Sequence, residues 1–262
     1  MSMHPPAATR PLVGAGLKMN LTSSEARRYF DALRPAVAGI TGCDLVVLPP
    51  FTSLHVAQER LHGSNVAWGA QDVHPLDRGA HTGDISMPML VDLGCTYVEV
   101  GHIERRRDHG ETEGVVAAKV AQVLRYDATP ILCIGEPAAG DPEAAREQVV
   151  GQLRVELAGI AARDRARVVI AYEPTWAIGV AETASAGHVA CVQRGIRAWL
   201  ASPEGGGVAV RVIYGGSVDQ SAVRSMLEAG GVDGLFVGRA ALDPGRFAAI
   251  AAAVQAATQT SG

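Results

Sequence analysis

Lysine is nearly missing from this chain: of 262 residues only Lys18 and Lys119 are lysine, against twenty-one arginines. A sequence that uses Arg wherever a generic surface cation serves keeps a Lys for a reason, because a compact ammonium and a planar guanidinium do different work. Long apolar runs are missing too. No stretch reaches the roughly 18 consecutive apolar residues of a spanning helix, and the opening MSMHPPAATR has no apolar h-region, so no membrane partner is expected. Clustered positive charge is confined to Arg105, Arg106 and Arg107, and the net charge is -4, which argues against nucleic acid as a partner. Cysteine is sparse and unpatterned: Cys43, Cys95, Cys133 and Cys191 show no CxxC spacing. That favours reduced thiols in the cytoplasm over a disulfide or zinc framework, and no metal or cofactor is expected.

What is present is a composition suited to a packed core, with 48% hydrophobic and 19% charged residues. Short β-branched runs alternate with longer amphipathic segments from end to end, the pattern of βα units around a parallel sheet. Eight such runs are read: Leu12 to Leu17, Asp44 to Leu48, Val66 to Gly69, Tyr97 to Val100, Ile131 to Ile134, Val168 to Tyr172, Val210 to Tyr214, and Gly234 to Val237. Most are apolar on both faces, as buried parallel strands should be. Thr22-Ser-Ser-Glu25 reads as a capping box, and Ser86 with Pro88 opens a short helix closed by Gly94. Asp141-Pro142 opens a helix to about Ile160, and Ser185 opens another to about Leu200. Even alternation without a GxGxxG after the first strand favours a closed barrel over a doubly wound sheet. The expectation is a single α/β domain, a (β/α)8 TIM barrel over residues 1–262, with residues 1–10 a flexible extension.

In such a barrel the chemistry sits on the loops that follow the strands, and the unusual side chains fall there. Lys18 ends the first strand, His102 and Glu104 follow the fourth, Glu173 the sixth, Gly215-Gly216-Ser217 the seventh and Gly238-Arg239 the eighth. A carboxylate base, an imidazole, a cation and two glycine-rich turns form the inventory for proton abstraction beside a carbonyl on a phosphorylated substrate. Glycine-rich turns expose N–H groups to an anion, so Gly179, Ser217, Gly238 and Arg239 are the candidate phosphate contacts. No lysine ends a later strand, which disfavours Schiff-base chemistry.

Several segments resemble one family. Lys18-Met-Asn20, Gln71-Asp72, Ala80-His-Thr82-Gly83, Val100-Gly-His102-Ile-Glu104-Arg-Arg106, Cys133-Ile-Gly-Glu136, Ala171-Tyr-Glu173-Pro-Thr-Trp-Ala-Ile-Gly179 and Tyr214-Gly-Gly-Ser217-Val218 look like the motifs of the triosephosphate isomerase family, in that family's order. The resemblance implies an aldose–ketose isomerase of small phosphosugars, dihydroxyacetone phosphate and glyceraldehyde 3-phosphate first among them. It implies that Glu173 shuttles a proton between two carbons, that His102 polarises the carbonyl oxygen, and that Lys18 gives electrostatic support. Glu104 is implied to pair with that group; a salt bridge to Arg105 or Arg106 is the alternative. A lid from Pro174 to Ala181 is implied to close over the phosphate. The long third loop, Gln71 to Asp84, is implied to enter a neighbouring subunit, giving a homodimer in which Thr82 supports the partner's site.

Four departures touch this site. Gly16-Leu17 stands where the family has Asn-Trp, Ile103 where it has Ser, Arg239 where it has a second glycine, and Val180-Ala181 where the lid ends in Thr-Gly. Gly16 removes a donor and is expected to open space beside the substrate, enough for one more hydroxylated carbon. A tetrulose-phosphate isomerase is therefore the alternative within the family, and a non-catalytic phosphate-binding relative the alternative outside enzymes.

Overall fold

The computed structural model describes residues 10–179, 183–218 and 220–259. Eight parallel strands close on themselves in chain order: β1 Leu12–Gly16, β2 Asp44–Leu48, β3 Val66–Ala70, β4 Tyr97–Val100, β5 Thr129–Ile134, β6 Val169–Tyr172, β7 Arg211–Tyr214 and β8 Gly234–Phe236. Closure is made by β1 against β8, with Leu12, Val13 and Gly14 opposite Gly234, Leu235 and Phe236. The eight apolar runs of the sequence are these strands, within one or two residues at each end. β5 starts earlier than expected because Thr129 donates its N–H to Thr96 O at 2.9 Å, so pairing begins before Pro130.

Two apolar layers follow from the period-2 alternation of strand side chains. Leu12, Val46, Leu48, Ile131, Cys133, Val169, Ala171, Ile213 and Phe236 point inward and fill the barrel. The opposite faces, such as Val13, Val47, Val98, Val100, Leu132 and Val212, pack under the helices. One end of the interior is closed by polar groups: Arg211 donates to Asp44 Oδ2 at 2.6 Å and to the Tyr97 hydroxyl at 3.5 Å. The other end, at the carboxyl ends of the strands, stays open.

The helices obey their caps. Ser23–Val37 begins at Thr22, and the capping box with Glu25 is complete. Pro142–Glu156 starts on the Asp141 cap but stops short of Ile160, because the chain breaks off at Leu157 and makes a separate turn at Ala162–Arg165. Met87–Asp92 forms without a side-chain cap from Ser86. Among the described residues no helix is long and apolar enough to cross a membrane. The expected extension lies mostly outside the described residues, as do Val180 and Ala181.

The turn between β4 and the next helix decides where the functional side chains go. Gly101 has φ +75°, and a Cβ there would lie 2.6 Å from Arg106 Nη2 and 2.9 Å from Val116 Cγ1. Arg106 fills that space because it donates to Gly101 O at 2.6 Å, to Cys133 O at 3.1 Å and to the fully buried Glu156 at 2.6 Å. Gly110 has nearly the same φ, +68°, but nothing within 4 Å of its Cβ position. Gly110→Ala should therefore cost only the left-handed strain, about 1 kcal/mol, whereas Gly101→Ala adds a clash and should cost about 2–4 kcal/mol. Urea unfolding of the two variants checks this; equal losses would mean that the close approach of Arg106 contributes nothing.

Candidate active site

Lys18 leaves β1 with φ +52°, a conformation that turns its side chain over the barrel mouth. Its Nζ lies 2.7 Å from Glu104 Oε1, and its carbonyl accepts from Gln71 Nε2 at 3.1 Å. Glu104 thus pairs with the cleft lysine and not with its arginine neighbours. Arg105 is held by Asp72 and Glu111 at 2.8 Å each, and Arg106 is committed to Glu156. Burial alone would raise the Glu104 carboxyl, but the Lys18 hydrogen bond together with the charges of His102, Lys18 and Arg107 brings its pKa below the usual value. The other lysine, Lys119, has a structural partner set: it sits buried, 2.6 Å from both Asp72 and Glu111, beneath the third loop.

His102 caps the helix Ile103–His109, and its Nδ1 accepts the backbone N–H of Glu104 at 3.1 Å. That bond commits Nδ1 as an acceptor and leaves the proton of a neutral ring on Nε2. Burial, and then the positive charge of Lys18, push the imidazole down to about 4. Its Nε2–H side faces Glu173 Oε2 at 3.5 Å. Glu173 follows β6, donates its N–H to Ile134 O at 2.8 Å, and is 4% exposed. Its Oε2 meets no hydrogen-bond donor among the described residues. Burial, followed by the charge of Glu99, raises its carboxyl well above the usual range.

The segment after Glu173 is tied down by its neighbours. Glu136, buried at the end of the Cys133-Ile-Gly-Glu136 motif, accepts from Trp176 Nε1 at 2.7 Å and from the Tyr172 hydroxyl at 3.1 Å, and contacts His188 Nε2 at 3.0 Å. Across the cleft, the Tyr214 hydroxyl meets Thr183 Oγ1 at 2.8 Å and accepts from Ala184 N at 3.2 Å. These two anchors hold Pro174–Gly179 on one side and Thr183–Ala184 on the other. The strip Pro174–Gly179 also leans on the glycine-rich turns: Ser217 N donates to Ala177 O at 3.1 Å, and Arg239 Nη2 donates to Gly179 O at 3.3 Å. Gly215 must be glycine here, since a Cβ would lie 2.4 Å from Glu173 Oε1.

One cleft of about 810 Å3 collects Gly16, Lys18, His102, Glu104, Glu173, Gly179, Ser217, Gly238 and Arg239. Thr82 is not among its lining residues; it is exposed on the third loop. That loop is fastened to its own chain by Asp77, which accepts from Gln122 at 2.7 Å, from the Tyr126 hydroxyl at 2.8 Å and from Arg125. These bonds lower the Asp77 carboxyl to about 2.

The structure corrects the reading of Gly16 as a vacancy. The Oε2 of Glu99 lies 3.2 Å from the Cβ position of Gly16, so an inward carboxyl already takes up the space expected to admit a further carbon. Glu99 escaped the sequence reading because it is one acid inside the short apolar run of β4. Its signal was the alternation itself, which puts Tyr97 and Glu99 on the face opposite Val98 and Val100. Glu136 was quoted as part of a motif, but its anchoring role needed the fold. Among the described residues, Glu99, His102 and Glu173 bring metal-type donor atoms within 4.8 Å of one another, as do His74, His81 and Asp84. The first set is fully buried in the cleft; in the second, His81 and Asp84 are exposed on the third loop.

A sequence profile described as "Triosephosphate isomerase" matches residues 11–254. Among curated relatives, the triosephosphate isomerase of Symbiobacterium thermophilum is 42% identical over 249 residues, covering 93% of this chain and 96% of the relative. That of Roseiflexus sp. is 41% identical, covering 90% and 94%, and that of Mycobacterium avium is 43% identical, covering 93% and 96%. With a closed eight-stranded barrel and these relatives along almost its whole length, the chain belongs to the triosephosphate isomerase family.

Proposed function

We infer that this protein is an aldose–ketose isomerase that interconverts dihydroxyacetone phosphate and glyceraldehyde 3-phosphate. The observation that carries the reading is the buried pair at the cleft floor: a carboxylate with an unpartnered Oε2, 3.5 Å from an imidazole whose Nε2 holds the proton. Glu173 takes a proton from one substrate carbon and returns it to the next. His102 donates from Nε2 to the carbonyl oxygen and passes the hydroxyl proton. A neutral imidazole suits this work, because an imidazolium facing the base would pair with it and quench it. Lys18, steered by Glu104, stabilises the negative charge that develops on oxygen. The turns at Ser217 and at Gly238-Arg239 receive the phosphate, with Gly179 from the strip above. Ser217 N and Arg239 are both bonded to that strip, so phosphate binding exchanges those bonds and couples anion capture to movement of the strip.

We further propose that the protein works as a cytoplasmic homodimer. Met19, Leu76 and Met89 are 98%, 52% and 54% exposed, a costly display for a lone chain, and a second copy with its third loop and Thr82 would cover such groups. Four buried, unpaired thiols suit a reducing compartment. Sedimentation should give twice the chain mass, and a monomer at micromolar concentration would remove Thr82 from any role in a partner's site.

Glu173→Gln keeps the shape and removes the base. Turnover of glyceraldehyde 3-phosphate should fall by roughly 10³ or more with the melting temperature held, as expected when positioned base catalysis is lost; near-normal turnover refutes the assignment.

The pH profile gives a second check. Catalysis needs Glu173 ionised, and its carboxyl is raised, so kcat/KM should climb with pH through a limb above the ordinary carboxylate value. His102, pushed down to about 4, should stay neutral throughout that climb. Nitrogen NMR of the ring should show no imidazolium at pH 6; a ring that titrates near its ordinary value would contradict the proton assignment.

A further inference from the structure

Glu99 has no counterpart in the mechanism above, yet it lies among the groups that perform it. It is 5% exposed, in the layer of inward side chains nearest the cleft, and it lines that cleft. Packing does not explain it. A carboxyl in an apolar barrel interior costs more than a methylene chain of the same size unless its polar atoms are used. Among the described residues its one hydrogen bond is the weak one from Cys133 Sγ to Oε1, at 3.7 Å. Its Oε2 reaches across the barrel to the Cβ position of Gly16, at 3.2 Å.

The charged and titratable groups that face it come from every side: Lys18 beyond β1, Asp72 beyond β3, Glu104 and His102 beyond β4, Cys133 on β5, and Glu173 beyond β6. Two buried carboxyls, Glu99 and Glu173, stand against the single ammonium of Lys18. Both cannot stay ionised at low cost, so a proton is retained between them.

Building on the isomerase reading, we propose that Glu99 is a further catalytic residue: its carboxylic acid occupies the place left open by Gly16 and donates a hydrogen bond to the substrate oxygen that gains charge as Glu173 removes the proton. The acid supplies, from the opposite side of the barrel, a donor of the kind that the side chain missing at position 16 would have supplied. Holding the retained proton on Glu99 also leaves Glu173 ionised as the base. Burial pushes the Glu99 carboxyl up to about 8 and raises that of Glu173 as well, so the pair holds a proton at neutral pH, which the proposal places on Glu99. The bond is a donation, with no net transfer: the proton stays on Glu99, and the carbon-bound proton passes through Glu173.

The test compares Glu99→Leu, which removes the donor, with Glu99→Gln, which keeps an N–H donor of similar shape, in the full chain with melting temperatures recorded. Glu99→Leu should lower kcat by roughly 10²–10³ with a small change in KM, the size expected for one lost oxyanion donor. Glu99→Gln should stand roughly tenfold or more above it, and Gly16→Asn added to Glu99→Leu should recover part of the loss. In the wild type, activity should fall above about pH 8 as Glu99 ionises, and Glu99→Gln should abolish that limb. The proposal is overturned if Glu99→Leu turns over within roughly threefold of wild type, if Glu99→Gln is no better than Glu99→Leu, or if the alkaline limb persists in Glu99→Gln. Should Glu99→Leu fail to fold, the Glu99→Gln profile decides alone. Should the wild type turn over no triose phosphate, the isomerase reading falls by itself. Difference infrared spectroscopy then judges Glu99: a protonated-carboxyl band at pH 7 that disappears in Glu99→Gln supports the acid, and its absence from the wild type overturns it.

Discussion

Withdrawal of the Glu173 carboxyl from water is the constraint to which the rest of the site is fitted. A carboxylate alone in a low-dielectric pocket is unstable, and the barrel makes it tolerable by regulating everything that touches it. Gly215 has no side chain, so that Oε1 can lie against the β7 turn. His102 is capped at Nδ1 by a backbone N–H, so its ring presents a proton to the acid without carrying a charge. The one ammonium within reach, Lys18, is held partly in check by Glu104. Each of these arrangements accompanies the burial of a carboxyl that the proposed reaction needs ionised.

Rigid neighbours maintain that burial. Arg106 closes the space beneath the β4 turn and fixes Gly101, and through it the start of the helix that His102 caps. Glu136 does the corresponding work beneath β6, gathering Trp176, Tyr172 and His188 around one carboxylate. Neither Arg106 nor Glu136 lines the cleft. They show why motifs around such a cleft extend beyond the residues that line it: the strip Pro174–Gly179 is held from beneath by Glu136 and bonded to the glycine-rich turns by Ser217 N and Arg239.

The scarcity of lysine proved informative in an unexpected way. Both lysines form close ion pairs in partly or fully buried surroundings, where the compact ammonium makes point contacts with carboxylates. Lys18 stands in the cleft, and Lys119 holds Asp72 and Glu111 beneath the third loop. Rarity pointed to both positions, but it could not separate a cleft cation from a structural one, because that distinction depends on which strand end each lies above.

Strand runs, their alternation with helices and the order of the motifs were legible in the chain, because each rests on local periodicity and on residues within a few positions of one another. The placement of Lys18, His102, Glu173 and the glycine turns after successive strands followed from the same periodicity once a closed barrel was inferred. Gly16 was also legible as a missing side chain, but what fills its space was not. Glu99 is eighty-three positions away and reaches Gly16 only because barrel closure brings inward faces of non-adjacent strands together. The partner of Glu104, the proton position on His102 and the carboxyl beside Gly16 were all decided by tertiary structure, since each depends on a distance between side chains from different strand ends, which no local pattern encodes.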